Sequence, residues 1–148
     1  MLLKTMPLIS TPTRPEEFKA LRELLREYAQ SLDVDLCFQG FEAELASLPW
    51  PYAPPLGMLL TVHVNGALAG CCALRPLDNV DYANACEMKR LYVRPAFRRL
   101  GLGRLLAEAT LDAARLAGYA CVLLDTLSGF SSPSSPIKRY YNYSILST

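Results

Sequence analysis

The chain has 148 residues, 51% of them hydrophobic and 20% charged, and fifteen Lys and Arg against fourteen Asp and Glu leave a net charge of +1. That suffices for one domain with a core but not for two, and it excludes a disordered chain or a global field that gathers nucleic acid. His63 is the only histidine and no Cys-x-x-Cys pair exists, so no metal site is expected.

Thr13-Arg-Pro-Glu16 reads as a capping box with Pro15 in the first turn. Phe18, Leu21, Leu25 and Tyr28 then recur at helical spacing and predict an amphipathic helix over about residues 15–30. Phe41, Leu45 and Leu48 predict a short second helix. Pro49, Pro51, Pro54 and Pro55 end it in a stiff loop that carries Trp50 and Tyr52. A hairpin follows: residues 58–64 (MLLTVHV) and 67–74 (ALAGCCAL) flank Asn65-Gly66, the strongest short signal for a type I′ turn. A polar loop through Asn79 and Asn84 leads to a third strand, CEMKRLYV, over 86–93. Leu105, Leu106, Ala109, Ala113 and Leu116 form one stripe of a helix over 103–117, with Gly118 as its natural terminator. The apolar run YACVLLD, 119–125, suits a strand covered on both faces. The order α-α-β-β-β-α-β joins a hairpin to a β-α-β crossover. It predicts an α/β domain over residues 1–127, one mixed and mostly antiparallel sheet with helices on both faces.

Residues 128–148 read as an atypical tail. Residues 128–136 hold five serines and two prolines in nine positions and predict a weakly ordered loop, and IKRYYNYSILST after them shows no clear period. The first eighteen residues, broken by Pro7 and Pro12, hold no secretory apolar run, and no stretch approaches the roughly 20 apolar residues of a membrane span. Of the five cysteines, Cys71, Cys72, Cys86 and Cys121 lie in apolar runs, where the thiol acts as a small hydrophobe; Cys37 is the fifth. A cytoplasmic protein without membrane or nucleic-acid partners is expected.

The chemistry concentrates between Glu87 and Arg104. Lys89, Arg90, Arg94, Arg98, Arg99 and Arg104 stand there against one acid, Glu87, a local charge of +5. At the centre, Arg98-Arg99-Leu100-Gly101-Leu102-Gly103-Arg104 lies between a strand and a helix. Amides at a helix N-terminus are unpaired and sit at the positive end of the helix dipole. Glycines let a ligand approach the main chain, and arginines add charge-assisted bonds to phosphate oxygens. The spacing therefore points to a pyrophosphate held by amides 99–104, or else to a basic surface turn. No Gly-Lys-Ser/Thr follows, which excludes a Walker A loop. The three glycines of a dinucleotide-binding fingerprint are also missing.

Arg98-x-x-Gly101-x-Gly103, preceded by EMKRLYV and Arg94-Pro95 and followed by a long helix and an apolar strand, resembles the signature of the GNAT superfamily of N-acetyltransferases. The resemblance covers about residues 6–127. It implies acetyl-CoA as cosubstrate, with the main chain of Arg99, Leu100, Gly101, Leu102, Gly103 and Arg104 on the pyrophosphate and Arg98 beside it. It implies also that Leu91, Tyr92 and Val93 hold the pantetheine arm. A bulge in this strand would splay it from the next, open a slot for the thioester and place one amide as an oxyanion donor.

The implied reaction is direct attack by an amine of a small molecule or peptide. Glu87 stands where some members carry a glutamate base; it could equally be ion-paired with Lys89 or with Arg75. Strict alternation puts Glu87, Lys89, Leu91 and Val93 on one face and Cys86, Met88, Arg90 and Tyr92 on the other, a phase that a bulge would shift. His63 is the competing base, and Cys86 and Cys121 are the candidate thiol nucleophiles, all three also explicable as structural residues. The family's tyrosine acid has no close match, and Tyr140 or Tyr141 would stand in for it. With the usual last helix and hairpin missing, the strand 119–125 would expose an edge, closed by a partner subunit in a homodimer. Loss of the acceptor side would leave a non-catalytic CoA-binding protein, and a basic loop for some other phosphate would make a regulatory module.

Overall fold

Asn65 and Gly66 both take positive φ, 51° and 83°, as a type I′ turn requires, and the hairpin they close is the middle of the sheet. The computed structural model describes residues 6–32, 40–78 and 83–126 and residues 139–144, with the side chains of 125, 126 and 139–144 left out. Its elements run β1 (Pro7–Ser10), α1 (Pro15–Ser31), α2 (Phe41–Ser47), β2 (Met58–Val64), β3 (Ala67–Leu77), β4 (Ala85–Val93), α3 (Leu102–Leu116), β5 (Cys121–Thr126) and β6 (Arg139–Ser144). One six-stranded sheet takes them in chain order, β1 to β6. Only β4 and β5, joined through α3, are parallel; the other neighbours are antiparallel.

The predicted mixed sheet with helices on both faces is the observed one. On one face Leu102, Leu106 and Ala114 of α3 pack on Leu60, Val62, Cys72, Leu74, Cys86, Met88 and Val122. On the other, Leu21, Leu24 and Leu25 of α1 and Phe41 and Leu45 of α2 pack on Leu59, Cys71, Ala73 and Tyr92. The four apolar-run cysteines are buried and in no disulfide, two on each face of the sheet or its margin. Among the described residues no helix is long and apolar enough to cross a membrane.

Three local expectations change. The cap of α1 lies one residue later: Arg14 is the N-cap, and the Glu17 carboxylate, not that of Glu16, accepts from the amides of Thr13 (3.5 Å) and Arg14 (3.2 Å). Residues 7–10 form an edge strand, paired with β2 from Pro7–Val64 to Ser10–Thr61. The exposed edge of β5 is not exposed: β6, from the supposed tail, pairs with it from Cys121–Ser144 to Thr126–Arg139. The chain closes that edge itself, which removes the reason for expecting a homodimer. Residues 128–136 lie outside the described residues, as does Cys37.

Gly70 of β3 has no room for a side chain. A Cβ there would sit 2.5 Å from the Tyr92 carbonyl oxygen and 3.3 Å from the Val93 Cα, both backbone atoms of β4. Gly70→Ala is expected to lower the unfolding free energy by about 1–3 kcal/mol, the usual range for overpacking. Urea denaturation measures it; a variant as stable as the wild type would mean that β4 yields freely.

Candidate active site

The site begins with one extra residue in β4. Cys71 and Ala73 of β3, two residues apart, face Tyr92 and Lys89, three residues apart, and Arg90 inside this bulge has a φ of 60°. A bulge bends its strand and breaks the ladder. Pairing of β4 with β5 stops just before it, at Met88–Leu124, and residues 90–93 run on beyond the last pair while β5 continues alongside β6. Alternate main-chain groups of this stretch are therefore left for another partner.

The bulge also shifts the phase of the strand. Cys86 and Met88 belong to the α3 face, and Val93 packs there too. Tyr92 lies on the α1–α2 face, and so does Glu87, whose cross-strand partner Arg75 follows Ala73 of that face by two residues. Strict alternation had put Glu87 with Val93 and opposite Tyr92; the inserted residue reverses both relations. Leu91 is exposed.

Beyond Val93 the chain turns through Pro95–Phe97 into the glycine loop. Arg99 and Gly101 both take left-handed backbone, φ 72° and 76°, and Gly101 caps α3. Left-handed residues spaced in this way gather successive N–H groups into a concave cradle. The first amide to donate back is that of Leu105, to the Gly101 carbonyl at 3.1 Å, so the preceding amides of Leu102, Gly103 and Arg104 point out of the helix end. A Cβ on Gly101 would meet nothing, so its requirement is the backbone angle.

The +5 charge is not one open patch. Arg90, 8% exposed, makes a two-pronged bond to Glu44 of α2, Nε to Oε2 and Nη2 to Oε1, both 3.0 Å. Arg94 donates to Glu27 of α1 at 3.0 Å and to the Leu68 carbonyl at 2.8 Å. Arg104 pairs with Glu108 along α3. Arg98 donates through Nε to the Val93 carbonyl at 3.0 Å and lies over the Tyr92 ring, stitching the loop to β4. Arg98 and Arg99 make no ion pair among the described residues, so the charge offered at the loop is theirs.

Glu87 is fully buried. Its Oε1 accepts from Arg75 Nε at 3.0 Å, and its Oε2 has no hydrogen-bond partner among the described residues. One oxygen is thus held and oriented while the other has no partner among the described residues, one position before the last β4–β5 pair. The Arg75 pairing considered for Glu87 exists, and it leaves the second oxygen usable. His63 stands in β2, two strands away, and its partner Leu68 is seven residues along β3 from Arg75, about 20 Å at strand spacing. It lies beside Glu16, Glu17 and Thr61 in a shallow pocket of its own. Burial pushes the Cys86 thiol up to about 12 and raises that of Cys121, so neither supplies a thiolate at neutral pH. Tyr140 and Tyr141 hold positions in β6 opposite Asp125 and Leu124.

Glu44 is the residue that sequence reasoning missed. Nothing separates it from other helix-surface acids. The nearest signal is Arg90 itself, a cation in an otherwise apolar strand that must find a buried partner. Burial alone would raise the Glu44 pKa, but the hydrogen bond and charge of Arg90 bring it below the ordinary value.

Known proteins resemble this chain in sequence and in fold. The family model described as Acetyltransferase (GNAT) family matches residues 18–134. An uncharacterized N-acetyltransferase of Schizosaccharomyces pombe is 38% identical over 120 residues, 80% of this chain and 72% of that one. One from Dictyostelium discoideum is 26% identical, covering 84% of each chain. Among solved structures, a GNAT acetyltransferase of Staphylococcus aureus superposes with a TM-score of 0.67 at 19% identity, over 82% of this chain and 74% of that one. A Brucella melitensis member, solved in complex with acetyl-CoA, gives 0.63 at 20% identity, over 84% and 79%. The chain belongs to the GNAT family of acetyltransferases and has the fold of its solved members.

The Glu44 pKa sets a pH dependence. A carboxyl held below its unfolded value stabilises the fold fully above that value, 4.5, and the contribution is lost as pH falls through the folded value. The melting-temperature gap between wild type and Glu44→Gln should be constant from about pH 6 to 8 and shrink below about pH 4.5. A gap that widens on acidification would contradict the ion pair.

Proposed function

We propose that this acetyltransferase uses acetyl-CoA and acetylates an amine of a small molecule or peptide by direct attack. The observation that carries the reading is the continuity of β4, the glycine loop and α3: main chain beyond the last β5 pair, over 90–93, leads into outward-pointing amides at the start of α3. Those two features match the two halves of an acyl-CoA, an amide-rich arm and a pyrophosphate. In this assignment the amides of Arg99 to Arg104, with the charges of Arg98 and Arg99, hold the pyrophosphate. The main chain of Leu91, Tyr92 and Val93 bonds the pantetheine arm as a neighbouring strand would. Acetyl-CoA supplies an activated thioester, and a free amide in the bulge supports the oxygen on which charge develops.

Glu87 is the general base. Its Oε2, directly or through a water, takes one proton from the ammonium; the freed nitrogen lone pair forms the bond to the acetyl carbon as the carbon–sulfur bond breaks, and the second proton that the nitrogen sheds makes good the one delivered to the leaving thiolate. Arg75 on Oε1 keeps the carboxylate oriented. Tyr140 or Tyr141, opposite Asp125 and Leu124 at the level where β4 and β5 part, is assigned the proton for the leaving thiolate.

Glu87→Gln keeps the shape of the side chain and removes the base. Turnover of acetyl-CoA with an accepted amine, found by screening small amines and peptides for CoA release, is expected to fall roughly 10²–10⁴-fold, with calorimetric acetyl-CoA affinity unchanged. A fully active variant removes Glu87 from the mechanism. A wild type that binds acetyl-CoA but acetylates no amine would be a CoA-binding protein and not an enzyme.

A further inference from the structure

Arginine has no intrinsic reason to occupy the bulge. A φ of 60° is strained for any residue with a Cβ, and burying a guanidinium–carboxylate pair adds little stability over an apolar pair of the same volume. What the pair does provide is orientation. The planar fork of Arg90 meets both oxygens of Glu44 at 3.0 Å, a geometry that fixes rotation as well as distance. The rings of Phe41 and Tyr28 lie 5.2 and 6.0 Å from the guanidinium carbon. The Glu44 side chain is only 16% exposed, and α2, which carries it, is anchored in the core by Phe41 and Leu45. The clamp therefore ties the backbone of the bulge to an element outside the sheet.

We propose that Glu44 and Arg90 are positioning residues for acetyl transfer: the buried fork locks the Arg90 main chain in its left-handed conformation and so aims the amide of the bulge at the thioester carbonyl. The inference rests on the acetyl-CoA reading above. It assigns α2 a part in catalysis without contact to the reacting atoms. A lysine at 90 would keep the charge but lose the fork, and a glycine would accept the same φ but leave the bulge free to rotate.

The test uses the full chain and acetyl-CoA labelled with ¹³C at the carbonyl. In the wild type the carbonyl stretch of the bound thioester should lie at lower wavenumber than in solution, the signature of a hydrogen-bonded oxygen. Glu44→Gln, Arg90→Lys and Arg90→Gly should each bind acetyl-CoA within about 3-fold of wild type and lose most of that displacement. Amide hydrogen exchange over 89–93 should quicken about 10-fold or more, with Leu106 in α3 unchanged. Arg90→Gly relieves backbone strain and remains informative if the other two variants fold poorly. A wild-type stretch in Arg90→Gly, or exchange that quickens equally at Leu106, overturns the proposal and leaves the pair a packing feature. A wild type that binds no acetyl-CoA overturns the acetyl-CoA reading instead, and the exchange rates at 89–93 still decide whether the fork locks the bulge.

Discussion

A strand in the middle of a sheet spends its amides and carbonyls on its neighbours, and a protein that is to bind an extended ligand with main chain must interrupt that pairing at a chosen place. In this chain the interruption is one inserted residue, Arg90, two positions after the last β4–β5 pair at Met88–Leu124. Upstream of it Glu87 stays in the ladder, buried and held by Arg75. Downstream of it β4 keeps β3 on one side and runs beyond its last β5 pair on the other. Gly70 is part of the same constraint, since β3 must pass so close to Tyr92 and Val93 that no side chain fits.

The arginines around this point divide the labour. Arg90 and Arg94 are spent on Glu44 and Glu27, tying β4 and its exit to the two helices of one face. Arg98 bonds back to the Val93 carbonyl, so the loop leaves the strand at a set angle. That leaves the terminal nitrogens of Arg98 and the side chain of Arg99 for anion charge, beside amides aimed outward by the left-handed turns at Arg99 and Gly101. A cluster that looks uniform in sequence is thus mostly scaffold, with Arg98 and Arg99 the arginines left without an ion pair among the described residues.

The hairpin, both long helices and the loop could be read from the sequence because each has a local cause: Asn-Gly for the turn, a 3.6-residue stripe for the helices, and Gly101 for the left-handed turn that starts α3. The rest depends on partners far along the chain. Four residues beginning at Pro7 make a strand only because β2 offers an edge. RYYNYS carries no alternation that would announce β6, yet β5 supplies its register. Glu16 and Glu17 are equivalent as text, and only the entry angle of the chain selects the second as the cap. The bulge was foreseen in kind, but its place at an arginine, held by an acid 46 residues earlier, is a tertiary fact.

The central claim is that one continuous stretch, β4 to the start of α3, carries the acyl-CoA. Amide chemical-shift mapping of the ¹⁵N-labelled chain on addition of acetyl-CoA tests it most directly. The account predicts saturable shifts concentrated at residues 89–93 and 99–104, with β1 and the Asn65–Gly66 turn unmoved. Shifts confined to the pocket around His63, or none at any residue, would contradict it.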